Sequence, residues 1–226
     1  MARVSPESDS TRILLVEDHA IIKQALALAL RQKGMAVETA VDLTPDAVLT
    51  VAREFRPEVV LLDFWLGEGD SLPMIPPLRA LGAEVIVLTG TTDPRALGDC
   101  ISAGALGIVS KSESLDRLAQ AIVDAVAGTS VMRPAEREAL IEAAAKARDE
   151  DEKRLAPFAA LTARERLVLG HLMNGYAAED ISRLEYVSLA TVRSQIRGIL
   201  QKLEVNSQLA AVTLAQQAGW SPEGTA

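Results

Sequence analysis

Continuous apolar runs and runs with a three-to-four-residue apolar repeat alternate along the first 128 positions. The strand-like segments are RILLVED (12–18), AVETA (36–40), EVVLLD (58–63), EVIVLTG (84–90) and GIVSK (107–111). Three of them are unbroken apolar stretches, the pattern of parallel strands covered by helices on both faces. Between them, helical spacing recurs at 20–33, 44–55, 73–81 and 94–103, and again at 114–127. Thr44 before Pro45 reads as an N-cap followed by proline at the first helical position. Ser114 caps the last helix and Gly128 ends it. The third helix, in LPMIPPLRALG, is interrupted by three prolines and is predicted to be short or irregular. Five βα units in succession predict an α/β doubly wound, five-stranded parallel sheet.

After residue 128 the pattern changes. RPAEREALIEAAAKARDEDEKR (133–154) predicts a long exposed helix with few core-facing residues, a linker, with Pro134 at its first position. APFAAL is predicted to break it, and residues 161–219 are helical in pattern throughout. LTARERLVLGHLMNG carries a capping box, Thr162 with Glu165, and ends at Gly175. A short helix at 178–184, the turn EYVS, a helix from Ser188 to Leu203 and a last one from Ser207 to Gly219 complete an all-α four-helix domain. The predicted boundaries are 12–128, a helical linker at 129–157, and 158–220.

Composition narrows the class. The 226 residues suffice for two modest domains, and 49% hydrophobic content supports a core. With three Phe, two Trp and two Tyr, that core is aliphatic. One Cys excludes an internal disulfide framework and a thiolate zinc site. MARVSPESDSTR has no apolar signal core, and AIIKQALALALRQKG is interrupted by Lys23 and Gln24. A soluble cytoplasmic protein without membrane contact is expected. Residues 1–128 hold 11 Lys/Arg against 18 Asp/Glu, whereas 157–226 hold six of each. Anion chemistry in the acidic front half therefore needs a cation to mediate it.

Candidate chemistry gathers at the carboxyl ends of the predicted strands, where open parallel sheets bind ligands. Glu17 and Asp18 follow the first, Asp63 the third, Thr89 the fourth and Lys111 the fifth. Three converging carboxylates repel one another unless a hard divalent cation joins them, and two or three carboxylates with water suit Mg²⁺. Asp63 is then placed as a nucleophile toward a phosphoryl group, giving an acyl phosphate, with Thr89 and Lys111 on the phosphoryl oxygens. His19, His171 and Cys100 are expected to be a loop neighbour of the acid pair, a helix-surface residue and a small core residue.

Residues 12–128 resemble the receiver domain of two-component response regulators, a flavodoxin-like fold. The resemblance implies Asp63 as phospho-acceptor from a sensor histidine kinase. It implies Glu17, Asp18, Asp63 and the backbone carbonyl of Trp65 as metal ligands, and Thr89 with Lys111 as the switch pair. Two positions depart from the family pattern: Ile108 stands where an aromatic switch residue is frequent, and Ser112 follows Lys111 where proline is frequent.

In AEDISRLEYVSLATVRSQIRGILQKLEV, Arg193, Arg197 and Lys202 give the longer helix a basic face opposite Val192, Ile196, Ile199, Leu200 and Leu203. Such a helix fits a DNA major groove, with arginine on guanine edges and Thr191 or Ser188 on phosphate. Residues 158–220 resemble LuxR-type helix-turn-helix domains, and the combination with a receiver resembles NarL/FixJ-type response regulators. That resemblance implies Arg193, Ser194 and Arg197 on bases and Thr162, Thr191, Gln195 and Lys202 on the backbone. Gln195 replaces a common His, and acidic residues 179–180 replace a usually more basic stretch.

The sequence thus predicts a transcription factor, not an enzyme beyond its own Mg²⁺-dependent phosphorylation and dephosphorylation, that binds double-stranded promoter DNA as a homodimer when phosphorylated. Two other readings share its features. A phosphatase of the haloacid-dehalogenase type would also use Asp63, but it wants a second Asp where Trp65 stands. A phosphorylation-independent DNA binder would use the receiver as a dimerisation scaffold, and Ile108 fits that reading.

Overall fold

The computed structural model describes residues 10–67 and 69–222. The chain forms two compact units that divide after Ala145. In the first, β1 (Arg12–Val16), β2 (Ala36–Thr39), β3 (Val59–Asp63), β6 (Glu84–Thr89) and β7 (Gly107–Ser110) make one parallel sheet ordered β2-β1-β3-β6-β7. The chain direction across the sheet reverses at β1, which places the switch point between β1 and β3. Successive side chains on a strand point to opposite faces. Leu14, Val60, Leu62, Val85 and Val87 therefore enter one apolar layer, and Ile13, Leu15, Leu61, Ile86 and Leu88 the other. That double burial is why these strands are apolar without alternation.

Helices α1 (Ala20–Gln32) and α5 (Leu115–Val126) close the second layer, through Leu30, Leu118 and Ile122. Helices α2 (Pro45–Phe55), α3 (Ile75–Ala80) and α4 (Pro94–Ser102) close the first, through Val48, Leu78 and Ile101. The proline-rich third helix is six residues long after a 3-10 turn at Leu72–Met74, as its prolines predict. The acidic stretch after Asp63 is not an open loop. Trp65–Leu66 (β4) and Gly69–Asp70 (β5) pair as a small antiparallel hairpin.

Helix α6 (Pro134–Ala159) continues through Pro157, where the sequence predicts a break. Its last turn seats Phe158 in an apolar core, stacked on Trp220 with centroids 5.3 Å apart. That anchorage offsets the single hydrogen bond a proline removes two residues before a helix end. The helix is also less exposed than expected, since Ala144 is fully buried.

In the second unit, α7 (Ala163–Met173), α8 (Ala178–Leu184), α9 (Leu189–Lys202) and α10 (Gln208–Ala218) enclose Leu169, Ile181, Val192, Ile196, Ile199 and Ala215. Thr162 and Glu165 form the expected capping box at the start of α7. Among the described residues, no helix is long and apolar enough to cross a membrane.

Candidate functional site

The register of the sheet brings the strand ends together. Asp63 pairs with Leu88, one residue before Thr89, and Thr89 pairs with Ser110, one residue before Lys111. Ligand atoms of Glu17, Asp18, His19 and Asp63 all lie within 4.8 Å of one another. Asp63 is 2% exposed. Its Oδ2 accepts from Lys111 Nζ at 2.6 Å and its Oδ1 from the Trp65 backbone N–H at 3.3 Å. Lys111 Nζ also stands 2.8 Å from Glu17 Oε2. Asp18 Oδ2 accepts from the Gly67 N–H at 3.2 Å, which ties the acid pair to the β4–β5 hairpin. Thr89 is buried, and its Oγ1 accepts from the Thr91 N–H at 3.0 Å. The Lys111 N–H donates to the Thr89 carbonyl at 2.8 Å.

Burial pushes the Asp63 carboxyl up to about 6; the hydrogen bond from Lys111 opposes this and the Glu17 charge adds to it. At neutral pH the group is still mainly carboxylate, the form a nucleophile requires. Burial also acts to raise Asp18, but the Gly67 N–H and the charges of His19 and Lys111 outweigh it and hold Asp18 low. Burial alone would lower Lys111; its bonds to Asp63 and Glu17 raise it instead. Glu17 Oε2 and Asp18 Oδ1 are buried without a hydrogen-bond donor in good geometry, although each faces a cationic or basic nitrogen. An electron-rich set of carboxylate oxygens with vacant lone pairs suits a hard divalent cation.

Of the five strand-end residues named from the sequence, Glu17, Asp18, Asp63 and Lys111 meet here, and the strand register sets Thr89 beside them. The Trp65 indole is 52% exposed and lies edge-on to Phe64, while its backbone is held in the hairpin. His19 is more than a loop neighbour: Nδ1 lies 3.0 Å from Glu17 Oε1 and 2.6 Å from Asp18 Oδ1. Its adjacency to the acid pair is the only sequence signal of that role.

In the second unit the N-cap of α9 is Ser188, whose Oγ accepts from the Thr191 N–H at 3.0 Å. At roughly 100° per residue, Arg193, Ser194 and Arg197 share one exposed face opposite Val192, Ile196 and Ile199. Arg193 meets Glu179 at 3.2 Å, but both are well exposed, and such a pair contributes little. Thr191, Gln195 and Lys202 follow a different edge of the helix. Lys202 Nζ donates to Glu165 Oε2 at 2.6 Å, and that oxygen also accepts from the Thr162 N–H and hydroxyl. Lys202 therefore braces α9 against the start of α7 and does not stand free. Gly198 leaves room for this, since a methyl there would lie 2.7 Å from Glu165 Oε1. The capping box marks Glu165 in the sequence, but nothing local links it to Lys202. His171 likewise reaches inward, with Nε2 2.9 Å from Glu185 Oε1.

Two domain families match the chain: the response regulator receiver domain over residues 13–123, and the luxR family of bacterial regulatory proteins over 159–215. The transcriptional regulatory protein NarL of Mycobacterium tuberculosis is 26% identical over 216 residues, covering 94% of this chain and 97% of that protein. The transcription regulator BvgA of Bordetella pertussis is 28% identical over 208 residues, covering 91% and 97%. A two-component response regulator of the LuxR family from Aurantimonas sp. SI85-9A1 superposes with a TM-score of 0.51 at 27% identity, over 59% of this chain and 96% of that one. The RcsB response regulator in its DNA complex shares the fold, with a TM-score of 0.50 at 20% identity over 92% and 98% of the two chains. With both domain matches in chain order and relatives aligned along nearly their full length, the chain is a response regulator of the NarL/FixJ type, a receiver followed by a LuxR-type DNA-binding domain, and thus a transcriptional regulator.

Proposed function

We propose that a sensor histidine kinase phosphorylates Asp63, and that phosphorylation controls homodimer formation and promoter binding by the 158–220 domain. The observation that carries this reading is the buried Asp63 carboxylate, 2.6 Å from Lys111 and within 4.8 Å of Glu17 and Asp18 ligand atoms. Glu17, Asp18, Asp63 and the Trp65 carbonyl are the residues to hold Mg²⁺, which when bound neutralises the carboxylates and draws charge from phosphoryl oxygens. An Asp63 oxygen attacks phosphorus in line. A P–O bond forms as the P–N bond to the donor histidine breaks, and the leaving imidazole keeps the electron pair. Lys111 passes from Asp63 Oδ2 to a phosphoryl oxygen. The Thr89 hydroxyl accepts from Thr91 and so keeps its own proton to donate to another.

On DNA, Arg193, Ser194 and Arg197 read base edges while Thr162, Ser188, Thr191 and Gln195 meet the backbone. Lys202 acts through the placement of α9. Arg197→Ala is expected to weaken promoter binding by about 1–3 kcal/mol and leave folding stability unchanged. Lys202→Met is expected to lower stability by roughly 1.5 kcal/mol, the low end for a bond to a charged group, because Lys202 is partly exposed. Denaturant titration beside DNA titration separates the two, and a Lys202→Met protein of undiminished stability would return Lys202 to the DNA contacts.

On this reading the exposed Trp65 side chain, two residues beyond Asp63, restricts the approach of water to the acyl phosphate. Trp65→Asn is expected to shorten the phosphoryl half-life several-fold, followed as decay after removal of the phosphodonor. An unchanged or longer half-life would place the indole outside the water's path.

The reading as a whole is tested by titrating the full chain on a promoter fragment with and without acetyl phosphate, while intact mass reports phosphoryl content. Tighter binding by the phosphorylated form is expected. Equal binding by both forms would favour the constitutive scaffold, in line with Ile108 in place of an aromatic.

A further inference from the structure

His19 is the member of the acid cluster to which the proposed chemistry gives no task. It occupies the N-cap position of α1, where the side chain of Ser, Thr, Asp or Asn ordinarily accepts a backbone N–H, yet its own side chain makes no cap hydrogen bond. The ring turns instead toward the sheet edge. Nδ1 lies 3.0 Å from Glu17 Oε1 and 2.6 Å from Asp18 Oδ1, and its ligand atom falls within 4.8 Å of those of Glu17, Asp18 and Asp63. The rest of the ring is open, with 64% of the side chain exposed.

The approach to Asp18 is close but is not a hydrogen bond, since no donor reaches Asp18 Oδ1 in good geometry. Nδ1 carries either one proton or one lone pair, so it cannot satisfy Glu17 and Asp18 together. A single cation can, because neighbouring ligand atoms around an ion bound at ~2.1 Å stand about 3 Å apart. Charge favours the same assignment. Among the described residues Lys111 is the ammonium bonded to Glu17 and Asp63, and three carboxylates already repel one another. A fourth carboxylate would add to that repulsion, whereas a neutral imidazole adds a lone pair and no charge. The set then holds hard carboxylate oxygens and one borderline nitrogen. Mg²⁺ favours oxygen and water, while imidazole suits iron, nickel and zinc ions.

We propose that His19 Nδ1 is a further ligand of the cation held by Glu17, Asp18 and Asp63, and that it makes the site favour a first-row transition dication over Mg²⁺. This rests on the reading of the acid pair as the metal site. The response then depends on which divalent ion loads the receiver as well as on the kinase that phosphorylates it.

Calorimetry on the full chain tests this with Ni²⁺ and Mg²⁺ as probes and four proteins: wild type, His19→Ala, His19→Asn and Asp18→Ala. His19→Ala is expected to weaken Ni²⁺ binding about tenfold or more and to leave Mg²⁺ binding unchanged. His19→Asn keeps a hydrogen-bond donor but has no ligating nitrogen, and it should behave as His19→Ala does. Proton NMR of the Ni²⁺-loaded wild type should show imidazole resonances shifted far outside the ordinary range and absent from His19→Ala. His171, present in both proteins, is the internal control. Equal losses of Ni²⁺ and Mg²⁺, or a preference restored by Asn, would overturn ligation and leave His19 as a residue that only orients the acids. A Ni²⁺/Mg²⁺ preference unchanged in both His19 variants would also overturn it, with the acid-pair site intact so long as Asp18→Ala loses the ion. Undiminished Ni²⁺ binding by Asp18→Ala would remove the acid pair as the metal site, and the role of His19 with it.

Discussion

Asp63→Asn is expected to take up no phosphoryl group from acetyl phosphate or a kinase, and at pH 7.5 to be more stable than wild type. The first effect follows from the nucleophile: an amide oxygen carries no charge to share with phosphorus. The second follows from burial. The folded state raises the Asp63 pKa to about 6 from an ordinary 3.8. A carboxyl whose folded pKa is raised binds its proton more tightly folded than unfolded, so stability is lost as pH rises from about 4 to about 6. Asparagine, nearly isosteric, cannot ionise and escapes that loss, by an amount on the order of 2–3 kcal/mol. Lys111 keeps Glu17 as a partner at 2.8 Å, so no buried cation is stranded. Thermal unfolding of both proteins in chelator is the measurement. The curves should converge near pH 4, diverge between about pH 4 and about pH 6 and stay apart above it, and equal stability at pH 7.5 would show that the pocket does not penalise the carboxylate. Retained labelling of Asp63→Asn would remove Asp63 as the acceptor.

Excess chelator is expected to stop phosphorylation of the wild-type chain, and Asp18→Ala to do nearly the same in Mg²⁺. Without a cation the incoming phosphoryl group, itself anionic, meets Glu17, Asp18 and Asp63, with Lys111 as the single ammonium bonded to that cluster among the described residues. Loss of metal-borne charge stabilisation of about 3 kcal/mol corresponds to a rate lower by ~100-fold. Asp18→Ala also removes the acceptor of the Gly67 N–H, which loosens the hairpin that carries Trp65. Initial rates of phosphate incorporation, with and without chelator, decide the point. Equal rates would remove the metal from the reaction.

The sheet was legible because double burial makes each of its central strands apolar without interruption, so 12–16, 59–63 and 84–89 stand out from single residues alone. The strand-end site was legible for the same reason: a charged residue closing such a run has only the sheet's carboxyl edge to occupy. The hairpin after Asp63 was not, because two-residue strands such as Trp65–Leu66 are too short to show a period. The continuation of α6 through Pro157 was not legible either. It depends on Phe158 finding Trp220, 62 positions along the chain, and local preference for a break loses to that contact. Lys202 reads as one more cation on a basic face until the fold brings Glu165 to it from 37 residues away.

The pairing of Trp65 with Asp70 divides one residue into two parts under separate constraints. Its main chain is fixed by the hairpin and by the N–H that it gives to Asp63, and those bonds are indifferent to which side chain the residue bears. Its side chain stands half in solvent and is committed to little beyond Phe64. Substitutions at this position leave the main-chain bond to Asp63 in place, so that, on the reading proposed for Trp65, drift at position 65 resets how long the protein remembers a signal and leaves untouched whether it can receive one.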